Sequence, residues 1–500
     1  MNKKLLRSVG ITLLLSLTLT AETSCGLIVF NTGEDTSAEP ITESTDTTAP
    51  DTTVAENTTV ADETTAAPDP SAEARERLSA LPDRDLSSTA VIVATVDDTT
   101  ICPIDSENPV IMARADSKRA VEEKYNTTVI ASLTDAASML NAARQAYNTD
   151  MYYADLLAIP QSMLGAFYAE GILANLYSLP HVDFDAPYYD RDINSAAVAG
   201  SGLYAISGAA NFNPDYLNCV YFNRSIVEQF VGEDLYALVN DGKWTWDKFA
   251  EYSKTVDAVD SIHGHGSTAV LEDYIDIAVS SQGLSYVNNT ANMVPTVNYL
   301  DNSAFTPAKT IVDKLYSLLY TDNSFVSSSA AELRELFLTD TLMFMTDRLY
   351  VMEWIANSSV NWGILPLPKY DESQAEYLSP LPDEAPVFCV LKNTASYETS
   401  GLILEALNAA SFEYVTDAYI NERIDYILRD NGSIHMLETI CGSATTDFAH
   451  MYASGMSNLE NATYGAVYKA VTTRSTLDSL YRGYKNAANR TLASKIKVYG

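Results

Sequence analysis

The chain has 500 residues, long enough after its N-terminal region for more than one hydrophobic core. It carries 66 acidic against 31 basic residues, a formal charge of −35. That balance repels nucleic acid and anionic lipid headgroups, and excludes both as expected partners.

The first residues read as export machinery. Lys3, Lys4 and Arg7 precede an apolar run, Ile11-Thr-Leu-Leu-Leu-Ser-Leu-Thr-Leu-Thr20, which is short for a bilayer span. Ser24-Cys25-Gly26 follows. Residues 1–24 are therefore expected to be a signal peptide. Cys25 is expected to be the lipidated N-terminus of a bacterial lipoprotein, although Glu22 stands where an apolar residue is usual. From residue 25 to 79 the composition turns to Thr, Ser, Pro, Asp and Glu, as in Thr52-Thr-Val-Ala-Glu-Asn-Thr-Thr-Val-Ala. Such a stretch cannot bury enough surface to offset its ordering entropy, and is expected to be an extended disordered tether.

Residues 80–500 form the expected folded part. Ser88–Val96 is β-branched and reads as a buried strand ending at Asp97-Asp98. Helix is expected over Ala113–Tyr125, strand over Thr127–Ser132, and helix over Asp135–Tyr147. A third strand, Ala154–Ile159, stops at Pro160, and a helix covers Ser162–Glu170. This alternation predicts an α/β fold with a mostly parallel sheet, whose ligands lie outside the carboxyl ends of the strands. Further along, Tyr216–Phe222 is strand-like. Helices are expected over Asn223–Val231, Thr245–Val256, Glu272–Gln282, Pro307–Tyr320 and Ala330–Leu338, and Pro386–Leu391 reads as a returning strand.

Chemistry-bearing motifs are sparse. Cys102, Cys219, Cys389 and Cys441 are widely spaced, without a CxxC pair, so no zinc site is expected. Cys219 and Cys389 sit in apolar runs, which favours buried free thiols over Cys102–Cys389 or Cys219–Cys441 bridges. His263-Gly-His265 is the one local histidine pair and reads as part of a Gly/Ser loop. There is no HExxH, nucleophile elbow, P-loop or convincing S-x-x-K, so catalytic residues, metal and cofactor are all expected to be absent.

Three stretches together resemble the extracellular solute-binding proteins of ABC importers, specifically the family 1 carbohydrate binders of Gram-positive bacteria. They are Gly202-Leu-Tyr-Ala-Ile-Ser207 with Val220-Tyr-Phe-Asn-Arg224, Gly242-Lys-Trp-Thr-Trp-Asp-Lys-Phe249, and Asn361-Trp-Gly-Ile-Leu-Pro-Leu-Pro-Lys-Tyr-Asp371 with Gln374 and Tyr377. The resemblance implies a two-lobe periplasmic-binding-protein-like fold, each lobe a mostly parallel sheet flanked by helices, joined by hinge strands. Lobe 1 would span about 84–207 and 378–430, and lobe 2 about 214–370 and 431–500. The chain would cross near Ser207–Asn213, Pro368–Pro382 and Asp430, with the C-terminal helices on lobe 2. Within the motifs, Thr245 reads as a helix cap, Trp244 and Trp246 as packing anchors, and Pro366 and Pro368 as enforcing an extended path.

The resemblance further implies a monomer held at the cell surface by its lipid. It would capture a small polar solute, with a sugar or oligosaccharide favoured, and deliver it to ABC permease subunits. Sugars need flat aromatic faces and planar polar groups. Loop positions facing the cleft supply the ligand-binding candidates: Asp97 and Asp98 after strand one, Gln161 and Ser162 after strand three, and Asn211, Phe212 and Asn213 at the first crossing. Asp347, Arg348 and Trp354 complete the set. The aromatic residue common after strand one of sugar binders is replaced here by Val96-Asp-Asp98, which keeps amino acids, peptides and other polar solutes open. A surface glycan hydrolase and an adhesive or sensor domain remain the alternatives.

Overall fold

The computed structural model describes residues 70–498 apart from 105, 260, 302–304, 323 and 429. The expected signal peptide, Cys25 and most of the tether lie outside the described residues.

Two sheets organise the structure. Their strands are β1 (Ala90–Thr95), β2 (Thr128–Leu133), β3 (Leu156–Pro160), β4 (Asn218–Asn223), β5 (His263–Ser267), β6 (Phe325–Val326), β7 (Leu342–Arg348), β8 (Trp362–Leu365) and β9 (Pro386–Cys389). The first sheet has the order β9-β3-β1-β2. β1, β2 and β3 are parallel, and β9 closes the edge antiparallel to β3, with Val387 opposite Ile159. The second sheet has the order β6-β5-β7-β4-β8. Here β5, β6, β7 and β8 run one way and β4 runs against both of its neighbours. β4 is reversed because it enters directly from the first lobe, starting at the end of the sheet where its neighbours finish.

The expected elements of the first lobe form within a few residues of their predicted bounds. Local chemistry explains where its helices begin. In α2 (Asp98–Ile101) the cap is Asp97; in α3 (Pro109–Tyr125) it is Asn108, with Pro109 in the first turn; in α4 (Ala136–Asn148) it is Asp135. α3 ends on Asn126, whose φ of 46° is the left-handed stop. α5 (Leu164–Ala169) follows β3 after one 3₁₀ turn.

One difference lies upstream. A helix, Pro70–Ala80, occupies the last part of the expected tether. It buries Ala74 and Leu78, and the Arg77 guanidinium donates to the Phe412 carbonyl at 2.7 Å and lies 4.7 Å from the Phe412 ring. Residues 72–79, which read as tether, are therefore part of a helix packed on the folded part through Ala74, Leu78 and Arg77.

In the second lobe the two tryptophan-rich and proline-rich motifs pack on each other. Thr245 caps the helix Trp246–Ser253, accepting from the Lys248 amide at 3.3 Å. Trp244 is fully buried and its Nε1 donates to the Pro366 carbonyl at 2.9 Å. The Trp246 amide donates to the Lys369 carbonyl, and the Lys369 amide to the Trp244 carbonyl. Their spacing therefore reflects mutual packing, as expected for anchors.

His263-Gly-His265 does not lie in a loop. It begins β5, inside the sheet, and His265 is fully buried between the Phe249 and Phe325 rings at 5.1 Å each. Burial pushes its imidazole down to about 3, so it is neutral. Gly264 makes this possible: a Cβ there would lie 2.2 Å from the Ser253 carbonyl oxygen. Alternation of His and Gly mimics loop composition, yet the glycines serve close packing. The four described cysteines are free thiols, with Cys102, Cys219 and Cys389 buried.

Three segments connect the regions around the two sheets. Ile206 bridges to Phe388 beside β9, and 207–213 leads on to β4. Residues 366–385 return from β8 to β9. The third passage joins the helix Tyr414–Tyr426, packed on α3, to Asn431–Cys441, packed on β8. Beyond it the C-terminal helices do not keep to the second lobe: Phe448–Tyr452 and the turn Ala453–Gly455 sit on α5. A Cβ on Gly165 would lie 2.2 Å from the Tyr452 carbonyl oxygen, so glycine permits this approach.

Candidate functional site

The carboxyl ends of β5 and β7 open onto a cavity of about 480 Å³. Its walls are the turn Thr268–Val270 after β5, Asp347 and Arg348 at the end of β7, and Asn218 at the start of β4. The acidic first half of the helix Leu271–Ser280 contributes Glu272, Asp273 and Asp276. The passage Pro380–Glu384 lines it as well, and His450 and Tyr464 come from the C-terminal helices. The cavity therefore stands where α/β sheets present ligand sites.

Of the expected residues, Asp347 and Arg348 line the cavity. Asp347 is 3% exposed and takes Arg334 through Nε at 2.8 Å and Nη2 at 3.2 Å, plus the Arg348 amide at 2.8 Å. Arg348 pairs with Glu384 across the cavity mouth. Both guanidiniums are thus paired with a carboxylate.

The remaining expected residues do not line the cavity and serve in other roles. Fully buried Gln161 donates to the Leu381 and Pro382 carbonyls, each at 2.9 Å, and accepts from the Thr446 hydroxyl. The Ser162 hydroxyl donates to the Asp383 carbonyl at 3.0 Å. These two hold the passage against the carboxyl end of β3. Asn211 is committed to the backbone of Gly208 and Pro386, and the Phe212 carbonyl accepts from Arg114. Asn213 caps the turn at Asp215 and reaches Thr100 at 3.4 Å. Asp97 receives hydrogen bonds from Thr99, Thr100 and the Tyr216 hydroxyl. Burial pushes its carboxyl up, but the hydrogen bonds from Thr100, Thr99 and Tyr216 outweigh it and hold it below the usual carboxylate range. Asp98 is exposed in the first turn of α2. Asp97, Gln161 and Asn211 thus use their polar groups inside the protein, because turns at strand ends must first satisfy their own backbone.

Trp354 is 56% exposed in the helix Val351–Ile355, one turn beyond Tyr350, which is 43% exposed and lines the cavity. The Arg334 guanidinium lies 5.8 Å from the Tyr350 ring and 5.9 Å from that of Trp354. Tyr350 thus lines the cavity, while Trp354 does not line it and stands exposed beside Arg334.

Sequence reasoning missed the acidic wall. Burial pushes the Asp276 carboxyl up to about 6; His450 opposes the shift while Asp383, Asp447 and Asp273 add to it. Asp273 and Asp383 are likewise raised, chiefly by burial. The His450 ring stacks on Tyr464 at 4.7 Å. The acidic pair opening a helix just after β5 was a usable signal, but only once β5 was recognised as a strand. Asp383, His450 and Tyr464 arrive from distant sequence and left none.

No family model and no curated protein matches the chain. Solved structures do. A family 1 extracellular solute-binding protein from Bifidobacterium longum subsp. infantis superposes with a TM-score of 0.53 at 12% identity, over 81% of this chain and 99% of that one. The chain has the fold of the extracellular solute-binding proteins. A cyclo/maltodextrin-binding protein complexed with maltotetraose matches with a TM-score of 0.54 at 13% identity, over 82% of this chain and 97% of that one. The GacH receptor of Streptomyces glaucescens, solved unliganded and with acarbose, gives 0.50 at 12% identity, over 81% and 99%. In this fold the cavity is lined by the second sheet, the passage Pro380–Glu384 and the C-terminal residues His450 and Tyr464.

Proposed function

We propose that the protein captures a small polar solute, with a sugar or oligosaccharide favoured, and hands it to an ABC importer. The observation that carries this reading is the cavity at the carboxyl ends of β5 and β7, lined by buried charged groups and by half-exposed Tyr350, with exposed Trp354 one helical turn beyond it. Aromatic faces suit the C–H surface of a sugar ring, and the charged and hydroxyl groups suit its hydroxyls. Lobe 1 comprises about 84–207 and 378–430, with the segment 448–455 packed on it, and lobe 2 about 214–370 and the rest of 431–500. Solute contacts from both would couple binding to closure.

The protein works as a monomer outside the cell, tethered through a lipid on Cys25, and carries no catalysis of its own. Permease subunits recognise its closed form. Thermal unfolding of the purified chain against oligosaccharides, amino acids and peptides tests this. A true ligand at a hundredfold excess over its dissociation constant adds about 2.7 kcal/mol of stability. Turnover of a glycan without such stabilisation would replace the binding reading with the hydrolase one.

A further inference from the structure

The charges of the cavity do not balance. Arg334 is spent on Asp347 and Arg348 on Glu384, which leaves Glu272, Asp273, Asp276 and Asp383 facing one imidazole, that of His450. The overall acidity of the chain does not explain this, because surface carboxylates are hydrated, whereas Asp276, Asp273 and Asp383 are desolvated enough to resist ionisation.

A second observation points the same way. The His450 side chain is 9% exposed and lines the cavity, yet its Nε2 makes no hydrogen bond. It stands at ion-pair distance, 3.4 Å, from Asp276 Oδ1, which is also buried and without a hydrogen bond. Two polar atoms with unused capacity thus meet in the wall of a solute cavity, where buried polar groups are ordinarily satisfied. Neutral hydroxyls would satisfy their hydrogen bonds but leave the charge. Closing on a neutral solute would withdraw four carboxylates from water with nothing to offset them. Among the described residues no group of three His, Cys, Asp or Glu side chains is arranged to hold a metal ion. A protonated amine brings both a positive charge and several N–H donors.

We infer that the captured solute carries a protonated amine, received by Asp276 and Asp383 beside His450. This rests on the solute-capture reading and narrows it to a cationic class: an amino sugar or an aliphatic polyamine.

Calorimetric titration of the purified chain at low ionic strength tests it with four probes: a glucosamine trisaccharide, its N-acetylated counterpart, maltotriose and spermidine. The amine trisaccharide or spermidine is expected to bind at least about tenfold more tightly than either neutral sugar, since a charged hydrogen bond contributes that much or more. Which of the two binds identifies the source of the amine. Asp276→Asn and, separately, Asp383→Asn should each weaken amine binding by a similar factor and leave any neutral-sugar binding unchanged. Unfolding curves of both variants confirm that they fold. Neutral sugars binding as tightly as the amines, or both folded variants keeping full amine affinity, overturns the inference while leaving solute capture standing. Failure of all four probes overturns the amine assignment; only the wider ligand panel tests capture itself.

Discussion

Replacing Arg334 by methionine removes the partner of a carboxylate that cannot reach water. Asp347 is 3% exposed and lies within β7, opposite Cys219 of β4. Arg334, on the helix Ala330–Leu338, supplies two of its three hydrogen bonds, at 2.8 and 3.2 Å. Breaking a buried pair in this way costs about 3–5 kcal/mol. The Arg348 amide still donates at 2.8 Å, which places the expectation near the lower end, about 3 kcal/mol. Asp347→Asn should cost less, about 1–2 kcal/mol, because Arg334 is 23% exposed and can turn to solvent. The double variant should then be more stable than R334M alone, which requires a coupling larger than the D347N cost, about 2–3 kcal/mol. Urea unfolding followed by tryptophan fluorescence measures all three. Lys243→Met is the control, since Lys243 and Asp241 are 50% and 60% exposed and water screens such a pair. If R334M costs no more than the control, the Asp347 carboxylate is solvated or protonated, and the account of a paired, dry cavity wall is wrong.

Trp244→Ala should cost about 3–5 kcal/mol in the same assay, through the lost volume and the unpaired Pro366 carbonyl. Trp354→Ala should change stability by under about 0.5 kcal/mol, since the ring is exposed, while weakening solute affinity; unchanged affinity in calorimetry would remove Trp354 from the site. Asp276 is held up at about 6 against an ordinary 3.8, so between those values the folded state binds more protons than the unfolded state, and stability falls as pH rises through that window. Asp276→Asn should flatten this slope and be neutral or stabilising at pH 7, by up to about 2 kcal/mol after allowing for partial exposure, with the raised carboxyls of Asp273, Asp383 and Asp447 setting the residual profile. Amine binding should weaken as pH falls below about 6, where Asp276 loses its charge.

Strand and helix positions in the first lobe were readable because β-branched runs and capping residues act within a few residues of themselves, as at Asp97, Asn108 and Asp135. The same locality misled at His263-Gly-His265, where glycines needed for contact with Ser253 and Leu333 look like loop glycines, and at Pro70–Ala80, whose buried face needs Phe412 to exist. Asp347 and Arg348 were found because a buried strand running into a polar turn is a local pattern. Gln161 and Asn211 matched the composition of a binding loop, yet their amides satisfy backbone carbonyls more than 170 residues away.

The amino-acid order by itself set the alternation of strands and helices, the packing role of the tryptophan motif and the polar ends of β3 and β7, since each depends on neighbours along the chain. The acidic wall was decided only by tertiary structure. Asp276, Asp383 and His450 are far apart in sequence, and each looks like an ordinary surface residue until the passage over the strand ends and the C-terminal helices bring them together. Burial and mutual repulsion, which give those groups their character, are properties of that assembled space and of no segment of the chain.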